Sequence, residues 1–109
     1  MICGGGEKKT LRLVAQYGDA CNLFAGRDEA RKLGLLREHC EAVGRDYDTI
    51  FKTAYYVFDT SRGPQRIVDE LGALAGLGFQ AAIGGVRDVW DVAPLEVIGA
   101  EVIPAVADL

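Results

Sequence analysis

The sequence lacks the features that mark membrane-spanning, zinc-binding and disulfide-stabilised proteins. No apolar run approaches the ~20 residues of a transmembrane helix, and no basic segment followed by an apolar one resembles a secretory signal. There are one histidine, His39, and three cysteines with no CxxC pair, so neither a metal site nor a disulfide framework is expected. We expect a soluble, cytoplasmic protein in which Cys3, Cys21 and Cys40 are reduced thiols.

Basic residues are in the minority, with 12 Lys and Arg against 16 Asp and Glu and a net charge of -4. They are also scattered along the chain, whereas nucleic-acid and anionic-membrane surfaces need basic clusters. We therefore expect neither of these partners. Half of the 109 residues are hydrophobic and 26% are charged, which is typical of a chain with a packed core. The length fits a single domain over residues 1–109.

Four apolar runs alternate with four helical patterns. The predicted strands lie at 1–3, 20–24, 50–58 and 79–83, and the predicted helices lie within 11–18, 33–43, 64–77 and 95–106. Asp28 is predicted to cap the second helix through its carboxylate, and Gly44 to end it. Pro64 suits the first position of the third helix, and Pro104 is predicted to kink or shorten the last one.

Strands that alternate with helices through short glycine-containing loops predict βαβ units, a parallel sheet and an α/β fold. The apolar runs are nearly continuous, which is typical of strands covered on both faces. Four units fit either an open sheet with helices on both faces or half of a (β/α)8 barrel of the TIM type, which needs ~250 residues when complete.

Both architectures leave the first and fourth strands as unpaired edges. Proteins usually pair or cover such edges, so we expect a homodimer that covers them. A two-fold axis can close a barrel from two copies, or the two copies can pack through helical faces.

The segment CGGGEKKT, residues 3–10, is the strongest local signal for binding. Glycines between a strand and a helix let an anion approach the backbone, and the helix N-terminus offers unpaired N–H groups. The candidate ligands are the backbone of Gly4, Gly5 and Gly6 and the hydroxyl of Thr10, with Lys8 or Lys9 adding charge. The motif is neither GxGxxG nor a Walker A loop, so a plain tight turn stays the alternative.

A second glycine pair, Gly84-Gly85, follows the fourth strand, with Arg87 close behind. Phosphate sites of barrels often lie in the last loops between strand and helix, so this pair is a further candidate for cofactor binding. A solvated loop arginine is the alternative for Arg87.

Three other side chains are weaker candidates for chemistry. His39 is predicted to lie on the surface of the second helix, and Tyr55 and Tyr56 are predicted to point to opposite faces of the third strand. The sequence offers neither a nucleophile paired with a base nor a carboxylate dyad. No catalytic residue is predicted.

Several stretches share a pattern with a known family: GGGEKKTLRLVAQY at 4–17, DACNLF at 19–24, LREHCEAVGRD at 36–46, Lys52-Thr53, and EVIPAV at 101–106. Together they closely resemble the luciferase-like monooxygenase family, in its branch of oxidoreductases that use the deazaflavin coenzyme F420. The resemblance spans nearly the whole chain.

The resemblance implies that this chain is like the C-terminal half of a (β/α)8 barrel, about strands five to eight. In that family the glycine loop after the fifth strand holds the phosphate end of the cofactor, and this role falls on Gly4, Gly5, Gly6 and Thr10. Cys3 stands where the family usually has a fourth glycine. The implied cofactor is coenzyme F420, with FMN as the alternative.

The family's catalytic residues belong to the N-terminal half, so the resemblance implies no complete active site in one chain. One predicted function is the cofactor-phosphate-binding half of an F420- or flavin-dependent oxidoreductase, completed by a second copy or by a separate N-terminal half-barrel chain. The other is a non-catalytic binding module or relic half-barrel that dimerises. Whether the chain is an enzyme stays open at this point.

Overall fold

Four parallel strands form one sheet in the order β1-β2-β3-β4, in a computed structural model that describes residues 1–109. The strands are β1 Ile2–Cys3, β2 Ala20–Phe24, β3 Phe51–Tyr55 and β4 Ala81–Ile83. The first three helices are α1 Thr10–Tyr17, α2 Glu29–Val43 and α3 Pro64–Gly76, and the last helical segment comprises α4 Ala93–Val97, a π-helical turn Ile98–Val102 and α5 Ile103–Val106. The predicted order of four βα units is confirmed.

The helices cover only one face of the sheet. Cys21, Leu23 and Ala54 point toward the helices and are at most 1% exposed, and they share one core cluster with apolar residues of all three long helices. Residues paired across parallel strands point to the same face, and successive residues alternate. The register therefore assigns the opposite face to Cys3, Ala20, Asn22, Phe24, Phe51, Thr53, Tyr55, Ala81 and Ile83.

We call this opposite side the open face. Because no helix covers it, the prediction that both faces of the sheet are covered is wrong. Phe24, Phe51, Tyr55 and Ile83 lie on it and remain 38–47% exposed. The apolar runs identified the strands correctly, but they did not reveal that one face of the sheet is uncovered. An open sheet with helices on both sides is excluded, and half of a barrel, with helices outside and the open face inside, is the architecture observed.

The helix stripes follow the predicted spacing closely. Their buried residues are Leu11, Val14 and Ala15 in α1, Leu33, Leu36 and Cys40 in α2, and Ile67, Leu71 and Leu74 in α3. Val43, the last residue of α2, is apolar but 41% exposed and lies outside the buried stripe. Gly44 ends the helix as predicted, with φ of 72° and its N–H directed at the carbonyls of Cys40 and Glu41.

Asp28 does not cap α2 in the predicted way. Its backbone is left-handed, with φ of 56°, and its side chain makes no capping hydrogen bond. The Glu29 carboxylate instead accepts from the backbone N–H groups of Gly26, at 3.2 Å, and Arg27, at 3.0 Å. The turn ahead of the helix is therefore held by the next residue along the chain.

Pro104 divides the last helical segment, as predicted. Because proline has no N–H, it cannot donate to the carbonyl four residues before it. The chain responds with the π-helical turn, in which the N–H of Ile103 donates to the carbonyl of Ile98. Val102 in this turn is 1% exposed and fixes the segment to the core. None of the helices is both long and apolar enough to cross a bilayer.

Candidate functional site

The first glycine loop, residues 4–9, connects β1 to α1. Gly4 has φ of +112°, a conformation that side chains other than glycine rarely adopt. Its N–H donates to the carbonyl of Asn22 at 3.1 Å, which extends the pairing of β1 with β2 by one residue. At the far end of the loop, the carbonyl of Gly6 accepts from the N–H of Leu11 at 3.0 Å. The glycines therefore shape the turn and also leave its backbone uncovered by side chains of its own.

A lysine from α2 lies over this loop. A Cβ added to Gly5 would overlap the Nζ atom of Lys32, and one added to Gly6 would lie 2.6 Å from Oγ1 of Thr10. The amine of Lys32 forms none of the three salt bridges in the protein. An ammonium, a hydroxyl and glycine backbone thus meet at one place, which is a combination that suits a phosphate.

Sequence reasoning missed Lys32 and named Lys8 and Lys9 instead, both of which are exposed. The two predicted lysines are neighbours of the glycines in sequence, whereas Lys32 reaches them only because α2 packs beside α1. Lys32 is the one lysine within a helix, but no local signal in the sequence places it beside the glycines.

The one carboxylate within the loop, that of Glu7, is paired with an arginine. Oε2 of Glu7 lies 3.0 Å from the guanidinium of Arg31, and the first turn of α1 contains no acidic residue. An anion at the loop therefore meets the positive end of the α1 dipole without an unpaired negative charge beside it.

His39 corrects the prediction of a surface residue. Its ring is partly buried, and Nε2 lies 2.8 Å from the backbone carbonyl of Glu7. A carbonyl oxygen only accepts, so Nε2 carries the proton and donates it. His39 therefore anchors the first glycine loop onto α2, and it performs a structural role at the loop rather than a role on the helix surface.

The second glycine pair has a steric explanation at its first position. A Cβ added to Gly84 would overlap the carbonyl oxygen of Tyr56, whereas Gly85 has only the Tyr55 hydroxyl at 4.0 Å. The ladder also continues past the strand ends: Tyr56 donates to the carbonyl of Ile83 at 3.0 Å and Phe58 to that of Gly85 at 2.9 Å. Gly84 thus allows the two chain segments to approach, and of the two glycines only Gly85 lies in open space.

Arg87 is paired within the chain. Its Nε lies 3.4 Å from Oδ2 of Asp59, and its side chain is 61% exposed. The pKa of Asp59 is lowered, first by the hydrogen bond from the Ser61 hydroxyl and also by the charge of Arg87. An anion at Gly85 would therefore compete with Asp59 for this guanidinium.

The two glycine segments lie along the same side of the sheet, where the carboxyl ends of the strands are, but they follow its two outermost strands. Both follow carboxyl ends of parallel strands, and β2 and β3 stand between β1 and β4. Three strand spacings amount to about 14 Å. Within one chain, Gly4, Gly5, Gly6 and Thr10 therefore form one candidate site, and Gly84 and Gly85 belong to a separate one.

Tyr55 and Tyr56 point to opposite faces, as predicted. Tyr56 is 8% exposed, and its hydroxyl donates to Oε2 of Glu70 at 2.6 Å. Burial, together with this bond, raises the pKa of Tyr56, and the same hydrogen bond lowers the pKa of Glu70. Tyr55 lies on the open face, where its ring meets that of Phe24 edge to face at 5.5 Å.

A groove of about 580 Å³ opens beside the ends of β2 and β3, between the start of α2 and α3. Its polar groups include Arg27, Glu29 and the Tyr56–Glu70 pair, and neither glycine segment lines it. No cluster of three or more metal-ligating side chains occurs in the protein. The first glycine loop with Lys32 thus remains the place where the predicted ligands converge.

Comparison with known proteins is informative only at the level of structure. No family model matches the sequence, and no curated protein matches it. Among solved structures, the chain is similar to the coenzyme F420 dependent tetrahydromethanopterin reductase from Methanopyrus kandleri, with a TM-score of 0.74 and 14% identity. The match covers 94% of this chain and 49% of that one, so this chain spans about half the length of the reductase. At this identity the likeness shows the fold alone, and it confirms the α/β half-barrel.

Proposed function

We propose that this chain binds the phosphate end of a deazaflavin or flavin cofactor on the first glycine loop. In this role it serves as the cofactor-phosphate-binding half of a luciferase-like oxidoreductase. The observation that carries the proposal is the position of the Lys32 amine over Gly5, with the Thr10 hydroxyl over Gly6. The sequence resemblance and the F420-dependent activity named for the structural neighbour support the choice of cofactor.

The residues of the loop fit a phosphate group. The absence of a Cβ at Gly5 leaves room for an oxygen to approach the backbone, and the side chain that closes this space carries a positive charge. The flexible stem of Lys32 can move aside and keep its ammonium against the anion. Coenzyme F420 and FMN both carry phosphate, so the loop accepts either and the rest of the cofactor decides between them.

Bound cofactor would supply hydride transfer, and this chain's own residues would hold and orient its phosphate end. The other polar groups at the loop already have structural roles, because Glu7 pairs with Arg31 and His39 holds the Glu7 carbonyl. We therefore propose that the chain binds cofactor without catalysing a reaction by itself. Turnover of F420 or FMN by the pure protein would contradict this part of the proposal.

The substitution Gly5→Val tests the proposed site. Its side chain would fill the space for the phosphate and displace the Lys32 amine, while the φ of Gly5 is not one that demands glycine. We expect calorimetric titration with F420, FMN and inorganic phosphate to show at least a tenfold loss of affinity, which is about 1.4 kcal/mol. Circular dichroism should show unchanged helix content.

Gly34→Val is the matched control, because a Cβ at Gly34 in α2 meets open space. It should bind all three ligands as the parent does. If Gly5→Val binds as tightly as this control, the loop is not the phosphate site. If the parent binds none of the three ligands, the non-catalytic module without a cofactor becomes the better description.

A further inference from the structure

We infer that two copies of this chain close a barrel about a two-fold axis, with β1 of each copy beside β4 of the other, and that each phosphate site is completed at this seam. The second clause rests on the proposed function, whereas the first rests on the fold alone. We take the partner to be a second copy of the chain, because one chain carries both of the surfaces that would meet in each contact. A two-fold axis forms each of these contacts twice.

The open face is the first such surface. Its nine strand positions include no charged side chain, and Asn22 and Thr53 hydrogen-bond to each other at 2.8 Å. Phe24, Phe51, Tyr55 and Ile83 expose 38–47% of their area there, which is about 350–400 Å² in total for side chains of this size. That is about half of the ~800 Å² that each partner contributes to a standard interface. The largest apolar patch on a typical monomer measures about 300–600 Å² and is often functional, so this face is a candidate interaction surface.

The sheet edges form the second pair. β1 pairs only with β2 and β4 only with β3, so one edge of each outer strand has no partner. All strands are parallel, and the outer edge of β1 can therefore extend the ladder beyond β4 of another copy. Two copies supply eight strands, which is the number that closes such a barrel. The structural neighbour, of which this chain covers 49%, is about twice as long as this chain.

The helix flanks form the third pair. The carbonyl of Ala15 in α1 faces Arg45 at the end of α2, and Tyr17 lies 200° further around the helix. Tyr17, which is 74% exposed, therefore lies on the side of α1 away from this contact.

The complementary surface lies beside β4. There, an apolar groove of about 580 Å³ runs between α3 and the last helical segment, with Ile103 and Leu109 on its rim. These two residues are 58% and 64% exposed. In a closed barrel, α1 of one copy follows the last helical segment of the other, so its Tyr17 side packs beside the exposed residues of that segment.

Closure also changes the phosphate site. Within one chain, Gly85 is three strand spacings from the first glycine loop, whereas across the seam it is one spacing away, about 5 Å. The partner's Gly85, whose Cβ position is open, then presents its backbone beside Gly5 and Lys32. A ligand that contacts both copies binds the dimer more tightly than the monomer, so phosphate stabilises the dimer by mass action.

Sedimentation equilibrium of the whole chain at micromolar concentration tests the dimer. We expect twice the 11.7 kDa of one chain. Tyr17→Glu places a charge on the seam and should weaken dimerisation at least about tenfold, while its 74% exposure lets the single copy fold. Val43→Glu is the control, because Val43 is a 41% exposed apolar residue at the end of α2, away from the seam. A monomeric parent overturns the inference.

Cross-linking distinguishes barrel closure from packing through helical faces. Cys3 is the one exposed cysteine, and Ile83→Cys places a second thiol at the end of β4. In the closed barrel the two thiols of different copies lie on adjacent strands, so a short bis-maleimide should yield a covalent dimer, and the parent with Cys3 alone should not. A dimer without this cross-link overturns closure.

Phosphate titration of the same proteins tests the composite site. We expect Tyr17→Glu to lose phosphate affinity in parallel with dimerisation and Val43→Glu to retain both. Unchanged phosphate binding by a monomeric Tyr17→Glu protein overturns the composite site and leaves the proposed function in place. A cross-linked dimer that binds no phosphate instead overturns the proposed function and leaves closure in place.

Discussion

Two neighbouring glycines with opposite tolerance to a methyl group provide the sharpest test of the structure. At Gly84 a Cβ would overlap the carbonyl oxygen of Tyr56, and at Gly85 the nearest atom is the Tyr55 hydroxyl at 4.0 Å. The substitutions Gly84→Ala and Gly85→Ala are chemically identical and adjacent in sequence. Any difference between them reflects the packing of β4 against the segment that follows β3.

The expected loss of stability in Gly84→Ala follows from the hydrogen bonds that hold these segments together. To relieve the overlap, the chain after β4 must move away from Tyr56. This movement strains the three bonds at that end of the ladder: Tyr56 to Ile83 at 3.0 Å, Phe58 to Gly85 at 2.9 Å, and Arg87 to Phe58 at 2.9 Å. At roughly 1 kcal/mol each, Gly84→Ala should lower the free energy of unfolding by about 3 kcal/mol. Gly85→Ala should stay within about 0.5 kcal/mol of the parent, because the loss of glycine flexibility in the unfolded chain offsets small adjustments.

Urea denaturation followed by circular dichroism measures the difference, at one fixed protein concentration because association would contribute to stability. With a slope of about 1.5 kcal/mol per molar urea, the midpoint of Gly84→Ala should fall by about 2 M and that of Gly85→Ala should hardly move. Equal midpoints for the two variants would refute the close approach of Gly84 to Tyr56. A stable Gly85→Ala protein that loses phosphate affinity would assign Gly85 to the binding site.

Two further predictions concern charged groups. Lys32→Gln should weaken phosphate binding about fivefold, whereas Lys9→Gln, at an exposed position, should leave it unchanged. Calorimetry at low ionic strength compares the two variants, and equal effects would show that Lys32 is not part of the site. Tyr56→Phe removes the hydrogen bond that lowers the pKa of Glu70, so it should destabilise the protein by about 1–2 kcal/mol at pH 7. Because the pKa of the Glu70 carboxyl is lowered in the folded state, its contribution to stability is present above the ordinary pKa and is lost as pH falls through the lowered one. Denaturation across acid pH should therefore show the difference in stability between Tyr56→Phe and the parent narrowing as pH falls. A constant difference would contradict the assignment.

The sequence by itself determined the order and type of the elements. The spacing of apolar residues in α1, α2 and α3 follows the helix repeat, and nearly continuous apolar runs mark β2 and β3, because these periods depend on local backbone geometry alone. As predicted, α2 ends at Gly44, α3 begins at Pro64 and the last helical segment is interrupted at Pro104. These positions could be predicted because φ preference and a missing N–H are properties of the residue itself. The first glycine loop was predicted for the same reason, as three successive glycines between a strand and a helix.

The tertiary structure alone decided which groups meet. Lys32 reaches Gly5 and His39 reaches the Glu7 carbonyl only because α2 packs beside α1, and Gly84 approaches Tyr56 only because β4 pairs with β3. The apolar runs in the sequence likewise did not indicate that one side of the sheet is uncovered. Hydrophobicity in a sequence records that a side chain is to be buried, but the identity of its neighbours is a property of packing between segments distant in the chain.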